Sequence, residues 1–141
     1  MAKKMSAVLG GVALFFGLTA CSGGGPDFEE GLWEITTDIN MAGMAMKIPA
    51  MVHRQCLTRK DVIPRQGPAD QEICTYSSPK IKGNRVSWSG ECLSPGGKTR
   101  SDGEITYQGT SFTGTLAMSM SGVVEMSGIN QISGRRIGGC Q

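Results

Sequence analysis

The chain has 141 residues, a formal net charge of +2, 21 glycines, five cysteines and nine methionines, with few aromatic residues. That length suits one compact domain, and abundant glycine with sparse aromatics favours strands and turns over a helical bundle. Two of the 14 basic residues, Lys3 and Lys4, precede the expected cleavage point described next, so 12 bases then face 12 acids. No basic stripe remains to neutralise a phosphate backbone, which sets nucleic acid aside as a partner.

After Lys3 and Lys4, residues 7–18 form an apolar run centred on Phe15 and Phe16. A spanning helix needs about 20 apolar residues, whereas a basic start, a short apolar run and small residues before a cut describe a secretory signal. Leu18-Thr19-Ala20-Cys21 has the arrangement of a lipobox, which predicts removal of residues 1–20 and lipidation of Cys21. Ser22 occupies a position where Asp would oppose delivery to the outer membrane, so the expected location is the periplasmic face of that membrane. Each buried methylene contributes about 0.8 kcal/mol and one chain alone holds marginally, so a multiply acylated Cys21 is the expected anchor. Residues 21–30, with Ser-Gly-Gly-Gly-Pro, are expected to form a flexible tether, and residues 31–141 a single β domain.

In the stretch 32–39, Trp33, Ile35, Thr37 and Ile39 alternate with Leu32, Glu34, Thr36 and Asp38, the period of a half-buried strand. A Gly- and Met-rich connection follows, and then a second strand over 47–57 entered through Pro49, which suits an edge. Thr58-Arg59-Lys60-Asp61 has capping spacing for one helical turn, stopped by Pro64, and residues 64–71 form a polar loop. Stretches 73–81 and 85–92 flank Lys82-Gly83-Asn84 as a hairpin, with Gly83 and Asn84 both expected at positive φ. Val86, Trp88, Gly90 and Cys92 share its inner face. A turn at 94–97 leads to a second hairpin, 99–107 with 111–120, turning at Gly109-Thr110, with Phe112, Leu116, Met118 and Met120 inward. A last strand over 123–133 leaves residues 134–140 as a tail.

About seven short strands without a long 3.6-residue pattern predict an all-β antiparallel meander, forming a strongly curved sheet or a partly closed, lipocalin-like barrel. With Cys21 lipidated, Cys56, Cys74, Cys92 and Cys140 remain, an even number in an oxidising compartment. No Cys-x-x-Cys spacing points to a redox pair or a structural zinc. Four cysteines allow three pairings. The hairpin centred on Gly83-Asn84 places Cys74 opposite or one step from Cys92, within reach of a disulfide. The prediction is therefore Cys74–Cys92, leaving Cys56–Cys140 to tie the tail to the second strand.

Gly31-Leu32-Trp33-Glu34, Met-Ala-Gly-Met-Ala-Met over 41–46, Gln55-Cys56-Leu57-Thr58, Val86-Ser87-Trp88, Gly103-Glu104-Ile105-Thr106-Tyr107 and the end from Gly134 to Cys140 stand in a familiar order. Together they resemble the bacterial envelope family catalogued as domain of unknown function 3617. The resemblance implies a secreted or lipidated protein and assigns no activity. Many members carry a Pro-Gly-Met-Pro-Met type of segment, and here those prolines are absent from Ala42-Gly43-Met44-Ala45-Met46.

Candidate chemistry is sparse. His53 is the only histidine, no Gly-x-Ser-x-Gly elbow occurs, and the thiols are expected to be oxidised. Glu34, Asp38, Glu91, Asp102 and Glu104 fall mostly on solvent faces, where charge blunts sheet edges. No catalytic residue and no cofactor emerges, and the chain reads as non-enzymatic. Methionine is the unusual feature: Met41, Met44, Met46 and Met51 cluster before the first domain cysteine, and Met118, Met120 and Met126 lie near the last hairpin. Thioethers fill irregular core gaps and make adaptable surfaces, and they also ligate Cu(I). The expected function is a binding or structural lipoprotein, tethered to the membrane by lipid, that takes an apolar small molecule or an envelope protein. Copper held by Met41, Met44 and Met46 is the alternative.

Overall fold

The computed structural model describes residues 24–65 and 73–141. The expected leader 1–20, the expected lipidation site Cys21 and most of the expected loop 64–71 lie outside the described residues. Eight antiparallel strands are present: β1 (Gly31–Asp38), β2 (Met51–Leu57), β3 (Ile73–Tyr76), β4 (Lys80–Lys82), β5 (Arg85–Ser94), β6 (Gly97–Gln108), β7 (Ser111–Gly122) and β8 (Met126–Gly138). They form one sheet in the order β2-β1-β8-β7-β6-β5-β3, with β4 also pairing with β5. The sheet curls strongly into a half-barrel. This is a meander whose first hairpin, β1–β2, has been laid against its last strand, leaving β2 and β3 as the two edges.

The alternation read in the sequence sets the curl's inner face. Trp33, Ile35 and Thr37 of β1 are buried, as are Val86, Trp88 and Gly90 of β5 and Gly103, Ile105 and Tyr107 of β6. Because side chains alternate strictly across a strand, these register partners share one surface. Three rings close the middle of it. Trp33 stacks on Phe112 at 5.6 Å between centroids, and Tyr107 meets both edge-on at 5.7 and 5.5 Å. Each is essentially fully buried, so truncating any of them would cost about 3–5 kcal/mol.

Several local expectations are corrected. The stretch 73–81 is not one strand: it breaks at Ser77, Ser78 and Pro79 into β3 and β4, which raises the count to eight. Ser77 stays attached through its amide to the Ser89 carbonyl and its hydroxyl from the Ser89 amide. Thr58–Asp61 is a tight turn closed by reciprocal backbone bonds, Thr58 N–H to Asp61 C=O and the reverse, and not a helical turn. The following residues turn inward and cannot extend a helix. Gly83 alone takes positive φ (58°) in the first two-residue hairpin, as Gly109 (66°) does in the second. Positive φ at the first central position alone is the requirement of a type II′ turn, so Asn84 needs none. Its side chain instead accepts the Asp27 amide at 3.0 Å. Residues 134–138 are not a tail: β8 runs to Gly138, because β1 offers a ladder as far as Leu32. Met120 lies on the inner register but is 39% exposed, two residues from the end of β7 and beyond its last buried side chain, Leu116.

The packed unit also begins earlier than Gly31. Phe28 is buried, bridges Gly109 and lies 4.8 Å from the Tyr107 ring. Glu29 N–H bonds to the Gly109 carbonyl and Gly109 N–H to that of Asp27, while Glu29 C=O receives the Trp33 indole N–H. Residues 26–30 are therefore stitched down, which shortens the tether. Both disulfides join the expected partners. Cys74 and Cys92 face each other in the β3–β5 ladder, and Cys56 joins Cys140 with 5.6 Å between Cα atoms.

Candidate functional site

The half-barrel has two unlike ends. The closed end gathers the N-terminal stitch, the turns at 58–61, 83–84 and 109–110, and the C-terminus. Here Val62, Ile63 and Pro64 fold in as a plug between the two sheet edges. Tyr107 Oη donates to the Val62 carbonyl at 2.7 Å. The Gln55 amide of β2 clamps the plug from its other side, donating to Ile63 C=O and accepting from Arg65 N–H. Arg65 then reaches across to the β3 edge, 5.1 Å from the Tyr76 ring. Burial, with the Asp61 carboxylate adding to it, pushes the Tyr107 phenol well above its ordinary range, so it stays a donor.

The open end is built from the connection 39–50 and the turns at 94–97 and 122–126. Asn130, fully buried, organises it. Its Oδ1 accepts the Asn40 amide at 2.9 Å, and its Nδ2 lies 3.2 Å from the Met118 sulfur. Ala42 N–H bonds to Ser127 C=O, and Met41 bridges Gly128. Gly128 is required because a Cβ there would run into the Asn40 carbonyl. Met41 is thereby placed on the inner register beside Met118, the ladder partner of Gly128, with Met120 and Met126 paired next along.

Around this patch the rim is apolar and unburied. Met46 is 81% and Val123 85% exposed, and Met44, Met51, Leu93 and Val124 each show about half their surface. Two polar atoms on the same inner register, Thr37 Oγ1 and His53 Nε2, are buried and find no hydrogen-bond partner among the described residues. A buried polar group without a partner costs about 1–3 kcal/mol, so the open half is less well satisfied than the plugged half.

The three loop methionines are treated differently from one another. Met41 is held at the sheet, Met44 sits on the turn that its amide closes to Met41 C=O, and Met46 is out in solvent. Soft-metal binding needs several thioethers converging on one point, and this loop spreads them along its length. His53 stands in β2 opposite Ile35. Asp38, Asp102 and Glu104 are exposed and Glu91 is half-exposed. Among the described residues, no group of three His, Cys, Asp or Glu side chains could hold a metal ion. Glu34 is half-buried on the outer face, where Arg135 (2.6 Å) and Arg54 (3.5 Å) converge on it. The hydrogen bond from Arg135 holds its carboxyl below the ordinary value.

The model of the family described as "Protein of unknown function (DUF3617)" matches residues 28–140. The chain belongs to this family. No curated protein and no solved structure matches it. The matched stretch of the DUF3617 domain opens on Phe28, the first stitched aromatic, and closes on Cys140, the last disulfide residue. Phe28 and the Val62-Ile63-Pro64 plug are what sequence reasoning missed. Both are short apolar islands inside polar turns, with no period to announce them, and their burial is visible only once the sheet edges are placed.

Proposed function

We propose that this DUF3617 protein is a non-enzymatic lipoprotein, anchored through Cys21 at the periplasmic face of the outer membrane, that docks an envelope protein on its open end. The observation that carries this reading is polarity of the fold. The exposed apolar rim of Met44, Met46, Met51, Val123 and Val124 lies at one end, and the chain leaves toward Cys21 from the other. An anchored domain would hold that rim away from the membrane by up to about 40 Å, the length of the 12-residue β7. Methionine-rich apolar surfaces re-pack around varied partners. A protein partner is favoured over a small apolar ligand because Trp33, Tyr107, Phe112, Val62 and Ile63 fill the inside of the curl.

Photo-cross-linking in intact cells tests the reading. A photoreactive amino acid at Met46 or Val124 is expected to give the same single protein adduct. The same group at Ser119 on the outer face should give none, and Val123→Glu should abolish the adduct at Val124. Equal labelling from Ser119 would reject a rim-specific partner. Adducts consisting only of lipid or another small molecule would replace the protein partner with an apolar ligand.

A further inference from the structure

The cations of the described chain are mostly paired: Arg54 and Arg135 with Glu34, Arg65 with Asp61, Arg85 with Glu104, Lys98 with Glu91, Arg100 with Asp102, and Arg136 with Glu29. Those without a carboxylate partner are distributed unevenly. Arg59, Lys60, Lys80 and Lys82 all lie at the closed end, on the 58–61 turn and around the β4–β5 hairpin. Only Lys47 stands elsewhere, in the connection at the open end. The unpaired acids are split evenly, with Asp27 and Glu30 at the closed end, where Glu30 accepts the Arg59 amide, and Asp38 and Glu125 at the open end, so only the cations are concentrated.

Between the unpaired cations is an apolar groove of about 370 Å³, lined by Phe28, Val62, Ile81 and Arg59 and opening beside Gly24 and Gly25. Ile81, flanked in sequence by Lys80 and Lys82, is 42% exposed. The Arg59 guanidinium sits 5.8 Å from the Phe28 ring at its mouth. Cys21 is three residues from Gly24 in the chain, a separation that can span at most about 11 Å. The stitch over 26–30 prevents the tether from paying out further.

We propose that the closed end is a bilayer-contact surface for anionic phospholipid: Arg59, Lys60 and Lys82 meet the headgroup phosphates, and the Phe28–Val62–Ile81 groove takes an acyl chain. Charge complementarity argues for the headgroup, and the short leash delivers this end to the membrane. The proposal rests on the Cys21 anchor and fixes what that anchor alone leaves free, the domain's orientation.

The test is lysine footprinting of the purified full-length protein with a water-soluble acetylating reagent. The protein is reconstituted in vesicles of phosphatidylcholine alone or of equal parts phosphatidylcholine and phosphatidylglycerol. One cation at an anionic surface strengthens association about fivefold. Acetylation of Lys60 and Lys82 should therefore fall by at least about threefold on the anionic vesicles, with Lys47 and Lys98 unchanged, and high salt should erase the difference. A Lys60→Gln/Lys82→Gln variant, altered only at an exposed turn and at the exposed end of β4, should lose the protection of Lys80. Equal labelling on both vesicles, or protection of Lys47 and Lys98 instead, overturns the proposal. If intact mass shows no acyl chains and the protein does not float with vesicles, the Cys21 anchor is what has failed. Adding the same vesicles at low salt then decides the contact surface by the same lysine pattern.

Discussion

The two ends of this half-barrel solve one problem in opposite ways. A curled sheet with two free edges must cover its inner face and its open seam. At the closed end the chain does so with its own segments: Phe28 from before β1, and Val62, Ile63 and Pro64 from after β2, all buried. Polar groups drawn inside there are matched, as Tyr107 and Val62 show. At the open end the covering is partial. Asn130 holds one strap of connection against β8, and beyond it methionine and valine face solvent. What differs between the ends is the supply of chain. The closed end receives two returning segments, whereas the open end receives one connection rich in methionine. An end completed by its own sequence is built for stability, and an end left apolar and incomplete is available to another molecule.

The disulfides give the largest way to break that contrast, because one clamps each end. Cys56–Cys140 closes a separation of 84 residues at the closed end, and Cys74–Cys92 closes 18 toward the open end. Chain-entropy reasoning assigns about 4.6 kcal/mol to the first and about 3.2 kcal/mol to the second. A Cys56→Ser/Cys140→Ser protein should therefore unfold at lower denaturant than Cys74→Ser/Cys92→Ser, with near-parallel transitions. The reverse order would mean that the β3–β5 edge, and not the closed end, limits stability.

A smaller effect is expected inside the plug. Tyr107→Phe keeps the ring among Phe28, Trp33 and Phe112 and removes only the donor to Val62 C=O. Leaving that carbonyl unpaired costs about 1–3 kcal/mol, read as a shift in the denaturation midpoint with unchanged slope. The raised Tyr107 pKa adds a sign. Stability from the neutral phenol is complete below the unfolded tyrosine pKa of about 10 and is lost as pH rises above it. Wild type should therefore weaken in alkali more steeply than Tyr107→Phe.

How much of this was legible follows from what kind of pattern each part leaves. Period-two alternation in 33–37 and 86–92 announces the inner face, and counting outward from Gly83-Asn84 sets Cys74 opposite or one step from Cys92. An unbroken hairpin would face it with Leu93, and the break at 77–79 shifts the register by one onto Cys92. The end at 134–138 reads as a tail because it is rich in glycine and arginine. It is a strand because β1 pairs with it, and Gly134 is glycine because the Phe112 ring occupies the place of a Cβ. The open rim was visible only as a surplus of methionine. Its position opposite the chain exit is a property of topology, which residue counting does not carry.

The smallest expected effect separates the ends by acidity. Glu34 draws Arg54 of β2 and Arg135 of β8 onto β1 on the outer face toward the closed end, whereas Asp38 and Glu125 at the open end form no ion pair among the described residues. The Arg135 hydrogen bond lowers the Glu34 pKa from 4.5. For a carboxyl whose folded pKa is depressed, the stabilisation is fully present above the unfolded value and is lost as pH falls through the folded one. Glu34→Gln should therefore be less stable than wild type at neutral pH, and the two should converge once pH is below both values. Asp38→Asn and Glu125→Gln, which remove no ion pair among the described residues, should match wild type at neutral pH. Denaturation midpoints at neutral and acid pH measure this directly. A Glu34→Gln deficit that persisted undiminished in acid would assign the cluster to packing by its side chains, with its charge contributing nothing.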